Sequence, residues 1–590
     1  MKFALTCLPV CLLVLAVFSA PVFGADSEEG RLTAYFKAYL EEAFRLRPLE
    51  ATRLGDHRFD HLLDDISAKA RDEWTVHYRQ TLAELPKKVD YAKLPRSAQI
   101  DYEIFKHNLT AALWLAVNTR PFENDPRTYN DYLSDSVYLL LTQSTQPKAT
   151  NIHNAAARMA HFPKIIAAAR ENLRNPPRVI LETAIRQTRG AIAFYQHGIY
   201  EVAGENPQLS ELKPAATRVV PLLKEHLKLL EGLLPKAKGD WRLGKEKFYR
   251  KLDLELDANL SADEVLKEAE DDFARVERDM YIIARQLWSG TYPGKPLPPD
   301  DAKGRTETIR LVLDKLNQEH GKPEDLVKNA RATVKRIKSF ITENDILRLP
   351  SPDQCKIIEM PEFHRGNSLA YLNPAPPLDS KAASYYAVSP PPSGWDARRV
   401  ESLLQEYNNR MLQILTIHEA YPGHYVQLEY SNRHPSLIRR VLFSGVFAEG
   451  WAVYTEQMML DQGYGRGDPA LRLNQLKWYL RSVANAVLDH KMHCTNMSDE
   501  EAVAFLTQRA FQAEGEAVAK VVRAKQSSCQ LSTYFVGRMA FYRLRQQIQR
   551  EMGAKFQLGR YHEAVLDHGT LPVKYLPELV RERLKRPRSK

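Results

Sequence analysis

Residues 411–424 read MLQILTIHEAYPGH. The stretch is a largely apolar run that ends in two histidines, His418 and His424, with Glu419 directly after the first. It predicts a helix that carries these polar side chains at its end. In the common HExxH pattern the histidines are four residues apart, so one helical turn puts both on the same face, where they bind zinc and the glutamate activates water.

The two histidines of this chain are six residues apart. On an unbroken helix that separation leaves their side chains about 240° from alignment. Pro422 removes a helical hydrogen bond and Gly423 tolerates unusual dihedral angles, so the pair predicts an interrupted turn. Such a turn would bring His424 back beside His418. The alternative is that both are ordinary histidines at a helix end.

A third metal ligand is expected from residues 443–456, FSGVFAEGWAVYTE, which form a second helical stretch. Glu449 lies in this stretch among apolar and small neighbours. A buried, unpaired carboxylate is costly, so it should have a partner, and a divalent cation is the strongest one available. Two histidines and one glutamate leave the fourth position of zinc open for water, which is typical of catalytic rather than structural sites.

The composition predicts a mainly α fold. Only 26 glycines occur in 590 residues, and residues that favour helices dominate most segments. The clearest amphipathic helix is predicted from Thr217 to Leu234, and capping-box patterns at Ser261–Glu264 and Ser498–Glu501 predict two helix starts. Helices of the first half are expected to break at prolines 48, 86, 95, 126, 147, 176–177 and 207.

Residues 346–395 are rich in proline and predict a long irregular connection before the motif helix. Two short pieces in it, Lys356–Met360 and Ser384–Val388, favour β structure and predict a small hairpin. We divide the chain into a signal peptide (1–24), an N-terminal helical region (25–240) and a C-terminal region that carries the motif (241–590), the last two forming one unit.

The first 24 residues predict export. Lys2 precedes an apolar run that ends in small residues around Gly24, which is the pattern of a cleaved secretory signal and is short for a membrane span. We therefore expect a periplasmic or secreted protein without stable membrane insertion after cleavage. The alternative is an uncleaved segment that anchors the chain to the membrane.

Charge and cysteine usage exclude other classes. Lysine and arginine number 83 against 73 acidic residues, and only residues 581–590 form a dense basic cluster, so no nucleic-acid partner is expected. Without the signal peptide, Cys355, Cys494 and Cys529 remain, which does not predict a disulfide framework. The sequence does not determine the oligomeric state.

Several motifs together resemble the bacterial domain of unknown function 885 family, which is grouped with zincin metallopeptidases. They are HEAYPGH, EGWAVYTE, the segments Asp489–His493 and Gln530–Gly537, and the earlier stretches Arg47–Gly55 and Ile346–Tyr386. The resemblance covers nearly the whole mature chain. It implies a large, helical, zincin-like fold with a deep central cleft and a gluzincin-like site that hydrolyses short peptides.

The resemblance also implies roles for residues beyond the metal ligands. His493 and Tyr534 match a histidine and a tyrosine that stabilise the oxyanion, and Arg523 and Gln530 match residues that position the substrate. The alternatives are buried side chains that satisfy core hydrogen bonds, for the first two, and an ion pair or helix cap, for the others. The chain departs from the pattern that the resemblance implies: Lys491 replaces a glycine, Lys520 an acidic residue, and Ser528–Cys529 a Pro-Gly pair.

The sequence therefore predicts an exported zinc peptidase in which His418, His424 and Glu449 bind Zn²⁺ and Glu419 is the general base. Two alternatives stay open. One is a noncatalytic, exported helical binding protein, and the other is a metal-dependent amidase that acts on non-peptide or cell-wall amides.

Overall fold

The computed structural model describes residues 27–360 and 369–586, so the predicted signal peptide lies outside the described residues. The described chain is mainly α-helical, which confirms the predicted fold class. The helices of the first half are α1 (Glu28–Leu46), α2 (Pro48–Leu54), α3 (Ala68–Lys88), α4 (Arg96–Asn118), α5 (Pro121–Asn124), α6 (Arg127–Thr142), α7 (Lys148–Met159), α8 (Phe162–Asn172), α9 (Arg178–Ala193), α10 (Ile199–Ala203), α11 (Leu209–Leu233), α12 (Lys245–Leu256) and α13 (Ala262–Thr291). Those of the second half are α14 (Ala302–Asn317), α15 (Leu326–Glu343), α16 (Ala397–Glu406), α17 (Asn409–Glu419), α18 (His424–Asn432), α19 (Leu437–Val441), α20 (Gly445–Asp461), α21 (Pro469–Cys494), α22 (Asp499–Ala504), α23 (Glu514–Gln526), α24 (Thr533–Met552), α25 (Leu558–Leu566) and α26 (Leu576–Lys585).

The predicted helix signals are largely confirmed. Both capping boxes are present at the first turns of α13 and α22, and the predicted amphipathic stretch lies within α11 except for its last residue, Leu234. Prolines 95, 126, 147 and 177 directly precede α4, α6, α7 and α9, where a missing N–H has no helical partner to lose. The break predicted at Pro86 is wrong, because this proline lies in the last turn of α3, two residues before the helix ends.

A small sheet precedes α16. Its strands are β1 (Cys355–Glu359), β2 (Ala370–Asn373) and β3 (Ser384–Val388), in the order β1-β3-β2. The two β pieces predicted from sequence are β1 and β3, but they pair in parallel, which a hairpin does not allow. The antiparallel partner of β3 is β2, which was not predicted.

Two hydrophobic cores stabilise the described chain. The larger core contains side chains of α1 and α4 together with most elements from α12 to α26. The smaller core is formed mainly by α6 to α11. The larger core thus contains residues from before and after position 240. The boundary predicted there between the N-terminal and C-terminal regions stays a prediction.

Two further observations concern membranes and thiols. Among the described helices, none is both long enough and apolar enough to cross a bilayer. Cys355, Cys494 and Cys529 are free thiols.

The burial of His226 on α11 predicts a pH dependence of stability. The ring is fully buried, neither nitrogen has a hydrogen-bond partner among the described residues, and burial lowers its pKa to about 4. Between about pH 6.5 and pH 4 only the unfolded chain binds the proton, so stability falls as the pH falls through this window. The His226→Leu variant should therefore lose about 2 kcal/mol less stability than the parent between pH 7 and pH 5.

The measurement is thermal unfolding of parent and variant at the two pH values. His153→Leu, a change at an exposed position on α7, is the matched control and should keep the parent's pH dependence. An identical loss in the parent and in His226→Leu would contradict the burial of this ring.

Candidate metal centre

The helix that carries the HEAYPGH motif is interrupted as the sequence predicts. Helix α17 ends at Glu419, and the chain turns through residues 420–423 before α18 begins at His424. The Gly423 N–H donates to the Ile417 carbonyl at 3.0 Å, which folds the turn onto the end of α17. A Cβ at position 423 would lie 1.9 Å from the His418 carbonyl oxygen, so only glycine fits this contact. The ring centroids of His418 and His424 are consequently 4.8 Å apart.

Glu449 completes a group of three potential metal ligands. The Nε2 atoms of His424 and His418 lie 3.4 Å and 3.8 Å from Glu449 Oε2. Tetrahedral coordination with bonds of about 2.1 Å separates ligand atoms by roughly 3.4 Å, so the spacing suits a zinc-sized ion. Glu449 Oε2 is buried and accepts no hydrogen bond from any described residue. Within the described ranges, no other three metal-binding side chains are grouped in this way.

Glu456 also belongs to this site, although the sequence did not predict a role for it. It is fully buried on α20, two helical turns after Glu449, and its Oε1 lies 2.7 Å from His418 Nδ1. Burial, together with the neighbouring His424, lowers the pKa of His418 to about 3, so the ring is neutral and suited to metal binding. A carboxylate on the second ring nitrogen orients a metal-binding histidine and raises its basicity. The sequence feature that could have indicated this role is the seven-residue spacing between the two glutamates of EGWAVYTE.

The small sheet holds Glu419 in position. The main-chain N–H of Leu372, on β2, donates to Glu419 Oε2 at 3.0 Å. On the neighbouring strand β3, the Tyr386 hydroxyl hydrogen-bonds the Thr416 hydroxyl at 3.0 Å, one turn before Glu419 on α17. Burial raises the pKa of Glu419 to about 7, against the opposing effects of His424 and the Leu372 N–H. A carboxyl group with a pKa near neutrality is well suited to proton transfer.

Helices α20 and α24 approach closely beside Glu449. A Cβ on Gly450 would lie 2.3 Å from main-chain atoms of Gly537, and a Cβ on Gly537 would lie 2.0 Å from the Val446 carbonyl oxygen. Tyr534 is one turn before Gly537, so this contact brings its hydroxyl to Glu449. Burial alone would raise the pKa of Glu449, but the two histidines and the Tyr534 hydroxyl hold it below its ordinary value.

Tyr534, Arg523 and Gln530 are brought together. Arg523 Nη2 donates to Gln530 Oε1 at 2.8 Å and to the Tyr534 hydroxyl at 3.1 Å. Two cavities border the three-ligand group. One, of about 210 Å³, is lined by His418, Glu419, Arg523 and Tyr534, among others. The other, of about 410 Å³, is more apolar, and its lining includes His424, Glu449 and Gln530.

The structure does not bring His493 to this group. Its Nε2 bonds the Ala524 carbonyl at 2.9 Å and its Nδ1 accepts from the Leu243 N–H at 3.4 Å. The ring stacks on Phe248 and makes an edge contact with Trp241. These contacts match the alternative considered from sequence, a buried histidine that satisfies core hydrogen bonds, and they leave neither nitrogen free for a substrate.

Asp489 fixes the turn that precedes Tyr534. Its two carboxylate oxygens accept from the Cys529 N–H and the Ser532 hydroxyl, both at 3.0 Å. Cys529, where the resemblance implies glycine, has a φ of +73°, a conformation that favours glycine. Lys491, a second departure, is half-exposed and pairs with Glu270, away from the cavities.

The fold and these side chains define a class: mainly helical proteins with a His–His–Glu group at an interrupted helix. The profile of a family of bacterial proteins of unknown function (DUF885) matches residues 48–580, and the chain belongs to this family. Among curated proteins, no relative matches the chain.

Two solved structures are similar over nearly the whole length. A candidate lipoprotein of unknown function from Shewanella oneidensis is 30% identical, with 93% of this chain and 99% of that chain covered and a TM-score of 0.79. A candidate lipoprotein from Colwellia psychrerythraea is 19% identical, with 95% and 99% covered and a TM-score of 0.77, and shares the fold.

The close contact between α20 and α24 predicts that Gly450→Ala destabilises the protein. The added methyl group overlaps the main chain of Gly537, which has no side chain that can move aside. The expected loss is about 1–3 kcal/mol in the free energy of unfolding, measured by chemical denaturation. Gly445→Ala, at the start of the same helix and in open space, is the control and should retain the parent's stability. Equal stability of the two variants would contradict the close approach.

Proposed function

We propose that this protein is an exported, zinc-dependent peptidase that hydrolyses short peptides. The observation that carries the proposal is the three-ligand group, in which a buried carboxylate oxygen without a hydrogen-bond partner lies within 4 Å of two histidine Nε2 atoms. The two histidines and Tyr534 favour the ionised form of this carboxylate, and a divalent cation would be its strongest partner. The donor set suits zinc, which binds imidazole nitrogen and carboxylate oxygen.

His418, His424 and Glu449 would hold the ion, and Glu456 would orient the first histidine through Nδ1. Bound zinc supplies Lewis acidity, which polarises a substrate carbonyl and lowers the pKa of water. Three protein ligands leave room for substrate and water, as in catalytic sites. The raised pKa of Glu419 allows its carboxylate to accept a proton near neutral pH and to release it in the following step.

Glu419 would move one proton in each direction during hydrolysis. As the water oxygen bonds to the carbonyl carbon, Glu419 accepts a proton from that water. When the carbon–nitrogen bond breaks, Glu419 gives the proton to the leaving nitrogen, so the products are a carboxylic acid and an amine. The Leu372 N–H on Glu419 Oε2 holds the carboxylate in one orientation through both steps.

Tyr534 is the donor that we assign to the oxyanion. It lines the cavity that contains His418 and Glu419, and its hydroxyl lies beside Glu449. A donor directed at the position where negative charge develops stabilises the transition state more than the substrate. Arg523 contacts the same hydroxyl and, with Gln530, would position the substrate. His493 has no part in the proposed mechanism.

Two observations support export. The first 24 residues have the pattern of a secretory signal, and the similar Shewanella protein is described as a candidate lipoprotein. Cys7 and Cys11 both lie inside the apolar run of this chain, so we propose a periplasmic or secreted protein rather than a lipid-anchored one.

The proposed ligand set predicts the metal content of the purified mature protein. The parent should contain about one zinc ion per chain, and Glu449→Gln should lose most of it because one of three ligands is removed. Glu456→Gln should weaken zinc binding by about 10–100-fold through the orientation of His418. Elemental mass spectrometry after dialysis measures both.

Asp461→Asn is the control for that measurement, since Asp461 lies at the far end of α20 and pairs with Arg472. It should retain zinc like the parent. A parent that binds no zinc when zinc is supplied would refute the proposed site and leave a noncatalytic binding protein as the better account.

The proposed roles of Glu419 and Tyr534 predict separate effects on turnover of a panel of short fluorogenic peptides. Glu419→Gln should abolish turnover but retain zinc, since Glu419 is no ligand. Tyr534→Phe should lower kcat by about 100-fold. Tyr542→Phe, further along α24, should leave kcat unchanged.

Zinc-loaded protein that cleaves no peptide of the panel would contradict peptidase activity. Muropeptides tested in parallel would then separate the metal-dependent amidase from the binding protein. A binding protein has no turnover. Loss of turnover on addition of a chelator therefore distinguishes the peptidase or the amidase from a binding protein.

A further inference from the structure

One lysine beside the three-ligand group has no hydrogen-bond or ion-pair partner among the described residues. Lys520, on α23, is only 5% exposed and lines the cavity of about 210 Å³ that also contains His418 and Glu419. Arg481 and Arg523 line the same cavity, so three of its side chains are cationic. We refer to it below as the cationic cavity.

The three cations differ in how they are neutralised. Arg481 forms an ion pair with Glu516, one helical turn before Lys520 on α23. Arg523 makes its bonds through Nη2 alone and pairs with no carboxylate among the described residues. Lys520 makes neither a hydrogen bond nor an ion pair with any described residue. Two cations of this cavity therefore have donors available for a ligand.

Keeping a buried lysine charged without a hydrogen-bond or ion-pair partner is costly. Burial, with repulsion by Arg481 and Arg523, holds the pKa of Lys520 well below its ordinary value, against the weaker attraction of Glu516 and Glu449. An anion that enters the cavity would relieve both effects, because it supplies the missing counter-charge and the missing hydrogen-bond acceptor. The surroundings of Lys520 are thus unfavourable without a ligand and favourable with an anionic one.

We propose that Lys520 and Arg523 bind a carboxylate of the substrate, which makes this enzyme selective for peptides with a free carboxylate close to the cleaved bond. The inference rests on the proposed function for the nature of the substrate. Because the cavity is smaller than the pockets that enclose whole ligands, it accommodates one end of a peptide. The planar donor fork of Arg523 suits a carboxylate.

The charge of this side chain decides which ligand the cavity favours. An acidic side chain at position 520, beside Glu419 and Glu449, would repel a substrate carboxylate, whereas a lysine attracts it. Lys520 is therefore a specificity-determining residue, and it acts without touching the metal ligands.

The test uses the full mature chain freed of metal, so that neither zinc binding nor turnover enters the result. Calorimetric titration compares two probes, N-acetyl-alanyl-alanine with a free carboxylate and its C-terminal amide. The acid should bind at least about tenfold more tightly than the amide, as expected for a hydrogen bond to a charged group. Equal affinity for the two, or no binding of either, overturns the proposal.

Variants test whether Lys520 causes the difference in affinity between the acid and the amide. Lys520→Gln should reduce the preference for the acid to less than about threefold, and Lys520→Arg should keep it. Arg523→Gln, at an exposed position, should also reduce the preference for the acid over the amide. It replaces Lys520→Gln in the test if that variant does not fold. Lys491→Gln, a lysine that pairs with Glu270 outside the cavity, is the control and should behave like the parent. An unchanged preference in both Lys520→Gln and Arg523→Gln overturns the assignment.

Measurements of turnover distinguish the carboxylate-binding proposal from the proposed peptidase activity on which it rests. In zinc-loaded protein, Lys520→Gln should lower kcat/KM for free-acid peptides and leave it unchanged for the matching amides. An equal loss on acids and amides would mean that Lys520 acts on the reacting carbonyl instead, and overturns the proposal while peptidase activity stands. Absence of all turnover, with the acid preference of the metal-free chain intact, would refute the peptidase and not the carboxylate site.

Discussion

The burial of three glutamates around one pair of histidines is the constraint on which the rest of this structure depends. Glu456 is fully buried, and Glu419 and Glu449 are largely so. Burial raises the pKa of Glu456 well above its ordinary value and that of Glu419 to about 7, and repulsion by Glu449 adds to both shifts. A cluster of buried glutamates is stable only if hydrogen-bond donors and cations lie close to it. The helices and strands around the site supply the hydrogen-bond donors, each through a different contact.

The interrupted helix is held by contacts from several parts of the chain. Trp451, on α20, donates its indole N–H to the Pro422 carbonyl at 2.8 Å, so the helix that carries Glu449 also fixes the turn between the histidines. The sheet adds the Leu372 N–H on Glu419, and Asp489 holds the turn before α24. Most of these partners are far apart in sequence. A change in one contact would therefore alter the position of several site residues together.

The sequence predicted what is local and much less of what is long-range. Helical class, both capping boxes and the break between the histidines follow from spacing within a few residues, and the structure has them. The pairing of β1 with β3 depends on residues 29 positions apart and was wrongly expected as a hairpin. The separate position of His493 depends on bonds to Ala524 and Leu243, which no pattern around it indicates. Zinc, catalysis and the deep cleft stay predictions.

The departures from the family pattern differ in what they change at the site. Lys491 pairs with Glu270 away from the cavities, and Cys529 has a φ that favours glycine while its N–H donates to Asp489. Neither alters the charge that a ligand meets. Lys520 does, since it adds a basic side chain to the lining of a cavity that also contains Glu419. Under the proposed function, His418, His424 and Glu449 determine which reaction occurs, whereas Lys520 affects which molecule binds.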